Sequence, residues 1–299
     1  MTPLSNGGRA EGSLISYAGE PGAFAEDAVI AAFGDVQRLP VGGFREVFEA
    51  VTRGDASAGV VPIENLVNGS VREVYDLLLE HELSIIGEIV VPVDLCLAAL
   101  RGTTIDDVQR VYSHIQALGQ AERFLRTRRW NLLTTYNTAG AGKFVVDQGD
   151  RAAAAVLSRR AAAGFGLTVL AESIQDVPDN RTKFLVLATD AAPADGAAGE
   201  GVGPFRTTIA FGVKNEPGTL LQALRVFADR SINLSKLESR PSRAAAWEYV
   251  FWADLDADRA DPNCAAAIDE LGDVATMVLV FGTYRRAAEP AIAEAATAG

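Results

Sequence analysis

Small polar residues recur in this sequence where a β-type run gives way to a helical pattern. Glu64-Asn65 with Gly69-Ser70 follow the run AGVVPI, Ser113 follows VQRVY, and Asn137-Thr138 follow LLTTY. In open α/β sheets, ligands bind beyond the carboxyl ends of the strands, where helix N-termini offer free N–H groups to anions. Each of these residues alone is an ordinary helix cap, and it is their repetition at successive strand ends that predicts a small anionic ligand. Other chemistries lack their parts. Gly140-Ala141-Gly142-Lys143-Phe144 has neither the leading glycine of a P-loop nor a hydroxyl after the lysine, and His81-Glu82 has no second histidine four residues on. Ser57 lacks the leading glycine of a nucleophile elbow. Two histidines, His81 and His114, and two distant cysteines, Cys96 and Cys264, supply no metal cluster and no disulfide framework. No metal and no organic cofactor is expected.

The elements that must position these residues read as an α/β chain. From LISYA to about residue 190, short apolar runs alternate with helical patterns, as in a largely parallel sheet. Val71, Val74, Tyr75 and Leu78 fall at helical spacing after Gly69-Ser70, and Leu118, Ala121 and Leu125 repeat similarly. The order then changes to strand TTIAFGV, helix PGTLLQALRVFAD, strands NLSKLES and WEYVFWADLD, helix PNCAAAIDEL and strand TMVLVFGTY, a ferredoxin-like βαββαβ pattern. Residues 1–12 are expected to be a flexible tail, 13–190 the first domain, 191–204 a linker, 205–286 the second domain and 287–299 a C-terminal tail.

Bulk properties narrow the partners. A chain of 299 residues suggests about two domains. Its net charge of −12, with Lys and Arg scattered, argues against nucleic acid. Any anion site must therefore rest on local donors. The N-terminal stretch has no apolar core like that of a signal peptide and no run of 18 apolar residues occurs, so neither a membrane nor export is expected, and the chain is read as cytoplasmic.

Several runs resemble a known family. Gly19-Glu20-Pro21-Gly22-Ala23-Phe24, Gly59-Val60-Val61-Pro62-Ile63-Glu64-Asn65 ending in Gly69-Ser70, Ser113-His114-Ile115-Gln116-Ala117-Leu118 and Asn180-Arg181-Thr182-Lys183-Phe184 look like the ordered signatures of prephenate dehydratases. Pro217-Gly218-Thr219-Leu220-Leu221 and Glu238-Ser239-Arg240-Pro241 resemble the regulatory motifs of their fused ACT domain. The resemblance runs from about residue 14 to 285.

It implies a two-lobed, type II periplasmic-binding-protein-like catalytic domain, with residues 14–95 and the strand near 183–190 in one lobe and 96–175 in the other. Prephenate would lie between them, facing Asn65, Ser70, Ser113, Gln120 and Thr182. The resemblance puts Thr182 at the leaving hydroxyl as a hydrogen-bond donor, with Glu64 a candidate acid if burial raises its pKa. His114, Thr138, Lys183 and Phe184 complete the expected substrate site. Lys183 stands where the family usually has Arg, and lacks the bidentate fork. L-Phenylalanine is the implied effector, held at an interface between two ACT domains of a homodimer or homotetramer. Asn215, the run Pro217, Gly218, Thr219, Leu220 and Leu221, and the run Glu238, Ser239, Arg240 and Pro241 would frame it, the latter from the neighbouring chain. Two alternatives stand beside this reading, an arogenate dehydratase and a non-catalytic metabolite-sensing module.

Overall fold

A computed structural model describes residues 14–189, 204–241 and 249–287. The expected N-terminal tail, almost all of the linker and almost all of the C-terminal tail lie outside the described residues. The first lobe contains β1 (Leu14–Ala18), α1 (Phe24–Phe33), β2 (Gln37–Val41), α2 (Phe44–Thr52), β3 (Ala58–Asn65), β4 (Gly69–Ser70), α3 (Arg72–Glu80) and β5 (Ser84–Pro92). The second contains β6 (Cys96–Ala99), β7 (Arg110–Ser113), α4 (Ile115–Gln120), α5 (Glu122–Leu125), β8 (Asn131–Thr134), α6 (Gly140–Gln148), β9 (Ala153–Leu157), α7 (Arg159–Gly164) and β10 (Thr168–Ala171). The chain then returns to the first lobe as β11 (Arg181–Ala188).

The two sheets have the same plan. In the first, the order is β2-β1-β3-β11-β5, and in the second β8-β7-β9-β6-β10. Each has three parallel strands, then one antiparallel strand that has crossed from the other lobe, then a fifth strand antiparallel to it. This is the two-lobed α/β architecture expected from the sequence, with the chain crossing between lobes twice. The lobes touch at Gly22, whose φ of +93° suits glycine and whose added Cβ would sit 2.5 Å from Ala161 Cα. Ser158 Oγ donates to the Gly22 carbonyl at 2.8 Å across the same contact.

The last unit contains β12 (Phe205–Gly212), α8 (Thr219–Ala228), β13 (Leu234–Pro241), β14 (Tyr249–Leu255), α9 (Pro262–Val274) and β15 (Met277–Arg285). Its sheet order is β13-β14-β12-β15, all antiparallel, which is the βαββαβ fold. Strand alternation gives the sheet two apolar faces. Ile209, Phe211, Ala253 and Leu255 pack under α8 and α9, while Ala210, Val250, Trp252, Phe281 and Tyr284 join Tyr75, Leu78 and Ile85 of the first lobe in one core. Trp252 is 2% exposed, edge-on to Tyr75 and stacked on Phe281. At about 25 cal/mol per Å2 and about 150–250 Å2, one such aromatic contributes on the order of 4–6 kcal/mol to holding the units together. Backbone contact is equally close, since a Cβ on Gly282 of β15 would lie 2.0 Å from the Ile85 carbonyl oxygen of β5. Ala223, Val226 and Phe227 are the buried residues of helix α8, and Leu221 is 70% exposed.

Candidate functional site

Between the lobes lies a cleft of about 590 Å3. One side is built from the ends of β3 and β11, the β3–β4 turn and the start of α3. The other comes from α4 and the loop before α6. Of the residues singled out from the sequence, Asn65, Ser70, His114, Gln120, Thr138, Thr182 and Phe184 line it.

Asn65 organises the first side. Its Oδ1 accepts from the Val67 and Asn68 backbone N–H groups, each at 3.0 Å, and backbone amides are donors only. This fixes the orientation of the side-chain amide. The Nδ2 hydrogens then face the Asn180 Oδ1 at 3.0 Å, the Arg181 carbonyl at 3.0 Å and the Thr182 Oγ1 at 2.9 Å. Thr182 therefore accepts from Asn65, and its own O–H is left to donate into the cleft. The pairing follows from register, Thr182 lying directly across from Asn65.

On the second side, His114 caps α4, its Nδ1 accepting from Gln116 N–H at 3.4 Å. A neutral ring in that arrangement carries its hydrogen on Nε2. Burial lowers the His114 pKa, which favours the neutral ring. Asn137 Oδ1 accepts from Gly140 N–H at 2.5 Å at the start of α6, beside Thr138. Tyr136 and Arg72 are among the cleft residues not singled out from the sequence. Tyr136 is 65% exposed and donates to Glu20 Oε1 of the opposite lobe at 2.9 Å, and Arg72 opens α3. Tyr136 directly precedes Asn137-Thr138, so the strand-end pattern pointed to its neighbourhood but not to an aromatic hydroxyl.

Other expected residues stand elsewhere. Ser113 is 0% exposed and its hydroxyl donates to the Val156 carbonyl at 2.7 Å, tying β7 to β9. Glu64 and Lys183 are paired across β3 and β11 and face the last unit, with Lys183 Nζ 3.9 Å from Glu64 Oε2. Alternation along β11 explains this, since Thr182 and Phe184 line the cleft while Lys183 and Leu185 line a void of about 20 Å3 against the last unit. The expectation that Glu64 supplies a proton to the cleft does not fit this placement, nor does Lys183 as a carboxylate ligand. Ser70 borders the cleft, but its hydroxyl donates to Glu238.

The residues expected at a regulatory site fall in two places. Asn215, Pro217 and Gly218 form the exposed turn before α8, where Gly218 has a φ of +90°. Thr219 opens the helix and donates to the Lys214 carbonyl at 2.6 Å, with Leu220 and Leu221 following. Glu238, Ser239, Arg240 and Pro241 lie inside β13. Glu238 and Arg240 turn toward the catalytic lobe of their own chain, Arg240 reaching Asp76 at 3.0 Å, which differs from the expectation that they serve a neighbouring chain. Among the described residues, no group of three or more His, Cys, Asp or Glu side chains is arranged to hold a metal ion.

Fold and cleft together define an α/β enzyme of the two-lobed kind joined to a small βαββαβ regulatory-type domain. Comparison with known proteins gives the family. Residues 15–192 match the prephenate dehydratase family and residues 207–273 the ACT domain. The chain is 39% identical to arogenate dehydratase 2 of Petunia hybrida, over 90% of this chain and 71% of that protein. It is 38% identical to the bifunctional chorismate mutase/prephenate dehydratase of Aquifex aeolicus (strain VF5), over 91% of this chain and 74% of that one. The structure of prephenate dehydratase in complex with L-Phe from Arthrobacter aurescens superposes with a TM-score of 0.84 at 30% identity, covering 93% of this chain and 92% of the other. The chain belongs to the prephenate dehydratase family, in the form that carries an ACT domain.

Proposed function

We propose that the protein converts prephenate to phenylpyruvate, carbon dioxide and water, and that phenylalanine regulates it through the ACT domain. In this reaction the ring carboxylate leaves as carbon dioxide and its bonding electrons form the aromatic ring. The opposite carbon expels its hydroxyl, which takes up one proton to become water. The observation that carries the reading is the Thr182 hydroxyl, which accepts from Asn65 and keeps its hydrogen for the cleft. A donor aimed at the departing oxygen stabilises the charge that develops there, and a threonine hydroxyl does so without surrendering its proton outright. The neutral His114 ring is a second donor on the facing side. Gln120 and Thr138 are polar cleft residues whose side chains can donate to the carboxylates of a dianion.

Arogenate, which loses the same groups but carries an ammonium, is the second reading, supported by the Petunia relative's name. The test is side-by-side turnover, with phenylpyruvate from prephenate followed by ultraviolet absorbance and phenylalanine from arogenate by chromatography. Each is run with and without added phenylalanine. Turnover of prephenate with the higher kcat/KM supports the proposal, a preference for arogenate moves the assignment to that substrate, and turnover of neither refutes both. A cytoplasmic homodimer or homotetramer, with domains spanning 13–190 and 205–286, belongs to the same proposal. Among the described residues no helix is long and apolar enough to cross a membrane.

A further inference from the structure

Strand β13 presents a comb of charges to the catalytic lobe. Its residues alternate between half-buried and exposed, so Lys236, Glu238 and Arg240, two apart, point the same way. Each grips a different point of one continuous segment. Lys236 Nζ lies 3.1 Å from Glu64 Oε2 at the end of β3, Glu238 accepts from the Ser70 hydroxyl in β4, and Arg240 reaches Asp76 in α3 at 3.0 Å. Within the comb, Lys236 and Glu238 are 3.8 Å apart, and both cations lie over the Tyr75 ring, 5.3 and 5.8 Å from its centroid. Burial pushes the Tyr75 phenol up to about 12, so the ring stands between them as a neutral spacer.

The opposite face of that segment is the cleft wall. Asn65, next to Glu64, holds Thr182, while Asn68 to Glu73, on either side of Ser70, line the cleft floor. We infer that Lys236 and Glu238 of the ACT domain are positioning residues of the catalytic cleft. Lys236 fixes the Glu64–Asn65 strand end that orients Thr182, and Glu238 fixes the floor at Ser70. The two act on different parts of the site, so their loss has different signatures. Neither touches substrate. The same strand carries the run resembling a regulatory motif, so any shift of β13 along its axis moves both contacts together. The inference rests on the cleft being the catalytic site.

The test uses the full chain. Lys236→Met is expected to lower kcat about tenfold with KM nearly unchanged, and Glu238→Ala to raise KM about fivefold with kcat nearly unchanged, since one contact supports a transition-state donor and the other the binding surface. Glu238→Gln, which still offers Ser70 an acceptor, should restore KM to within about twofold. Ser70→Ala should add little in the Glu238→Ala background, because the two act as one contact. Kinetics in Lys236→Met and Glu238→Ala that both stay within about twofold of the parent would overturn the inference, as would full additivity of Ser70→Ala and Glu238→Ala. A readout that does not need turnover separates this from a failure of the substrate reading. In hydrogen–deuterium exchange, Glu238→Ala should speed exchange of the amides of residues 66–72, and unchanged exchange there would also overturn it.

Discussion

Replacing Arg206 with methionine tests whether the two domains are bound through a charge that neither can lose. The Arg206 and Glu88 side chains are each 3% exposed and meet at 2.6 Å, joining β12 of the ACT domain to β5 of the catalytic lobe. Burial opposes the charged guanidinium, but Glu88 and Asp254 outweigh it and hold its pKa above the ordinary value. In Arg206→Met, Glu88 keeps, among the described residues, the Ala287 N–H at 3.0 Å, and Asp254 loses a cation 3.8 Å away. Removing one partner of a buried pair costs about 3–5 kcal/mol. At about 2–4 °C per kcal/mol for a chain of this size, Tm should fall by about 6–20 °C. The core shared by the two domains predicts that the loss appears in one transition. The pH dependence has a definite sign. A buried carboxylate without its cation has a folded-state pKa above its unfolded one, so protonation favours the folded state and the deficit shrinks as pH falls. Differential scanning calorimetry of parent and variant at about pH 8 and about pH 5 measures both effects. A Tm within about 2 °C of the parent at the higher pH, or a deficit that grows on acidification, would refute the reasoning.

Two further predictions concern the cleft itself. Thr182→Ala should lower turnover by a factor on the order of 10² to 10³ while leaving Tm nearly unchanged, as loss of one transition-state donor does; steady-state kinetics on the accepted substrate decides it, and near-normal kcat removes Thr182 from the chemistry. The His114 ring should titrate with a midpoint below its ordinary value of 6.5 in a proton NMR series. Its neutral form is favoured by folding, so its contribution to stability is intact above that value and is lost as pH falls through the folded pKa.

The sequence disclosed the architecture through periodicity and the site through strand ends. The βαββαβ order and the strand-end place of Asn65 follow from local pattern, while the return of a late strand to the first lobe and the cleft position of Thr182 are what the family resemblance implies. What it withheld was which way single residues face. Glu64 and Asn65 are adjacent, yet the pleat sends one to the ACT domain and the other to the cleft, and the register irregularity between Lys183 and Phe184 makes the sides hard to count in advance. Ser113 reads as a strand-end hydroxyl, but β7 lies between β8 and β9, and a buried hydroxyl there must find its partner within the sheet. The alternation of Lys236, Glu238 and Arg240 is visible in the sequence, whereas their partners, more than 160 residues earlier, are not.

The returning strand β11 also bears on how the chain is made. It lies between β3 and β5, pairing with both, so the first sheet lacks an interior strand until residue 188 has left the ribosome. The inserted lobe, residues 96–171, has all its strands before then and can close first, leaving the N-terminal segment unfinished until β11 follows. Thr182 arrives on that final strand. A chain that stops before residue 182 can therefore display one half of the cleft, but not the hydroxyl to which the proposal assigns the chemistry.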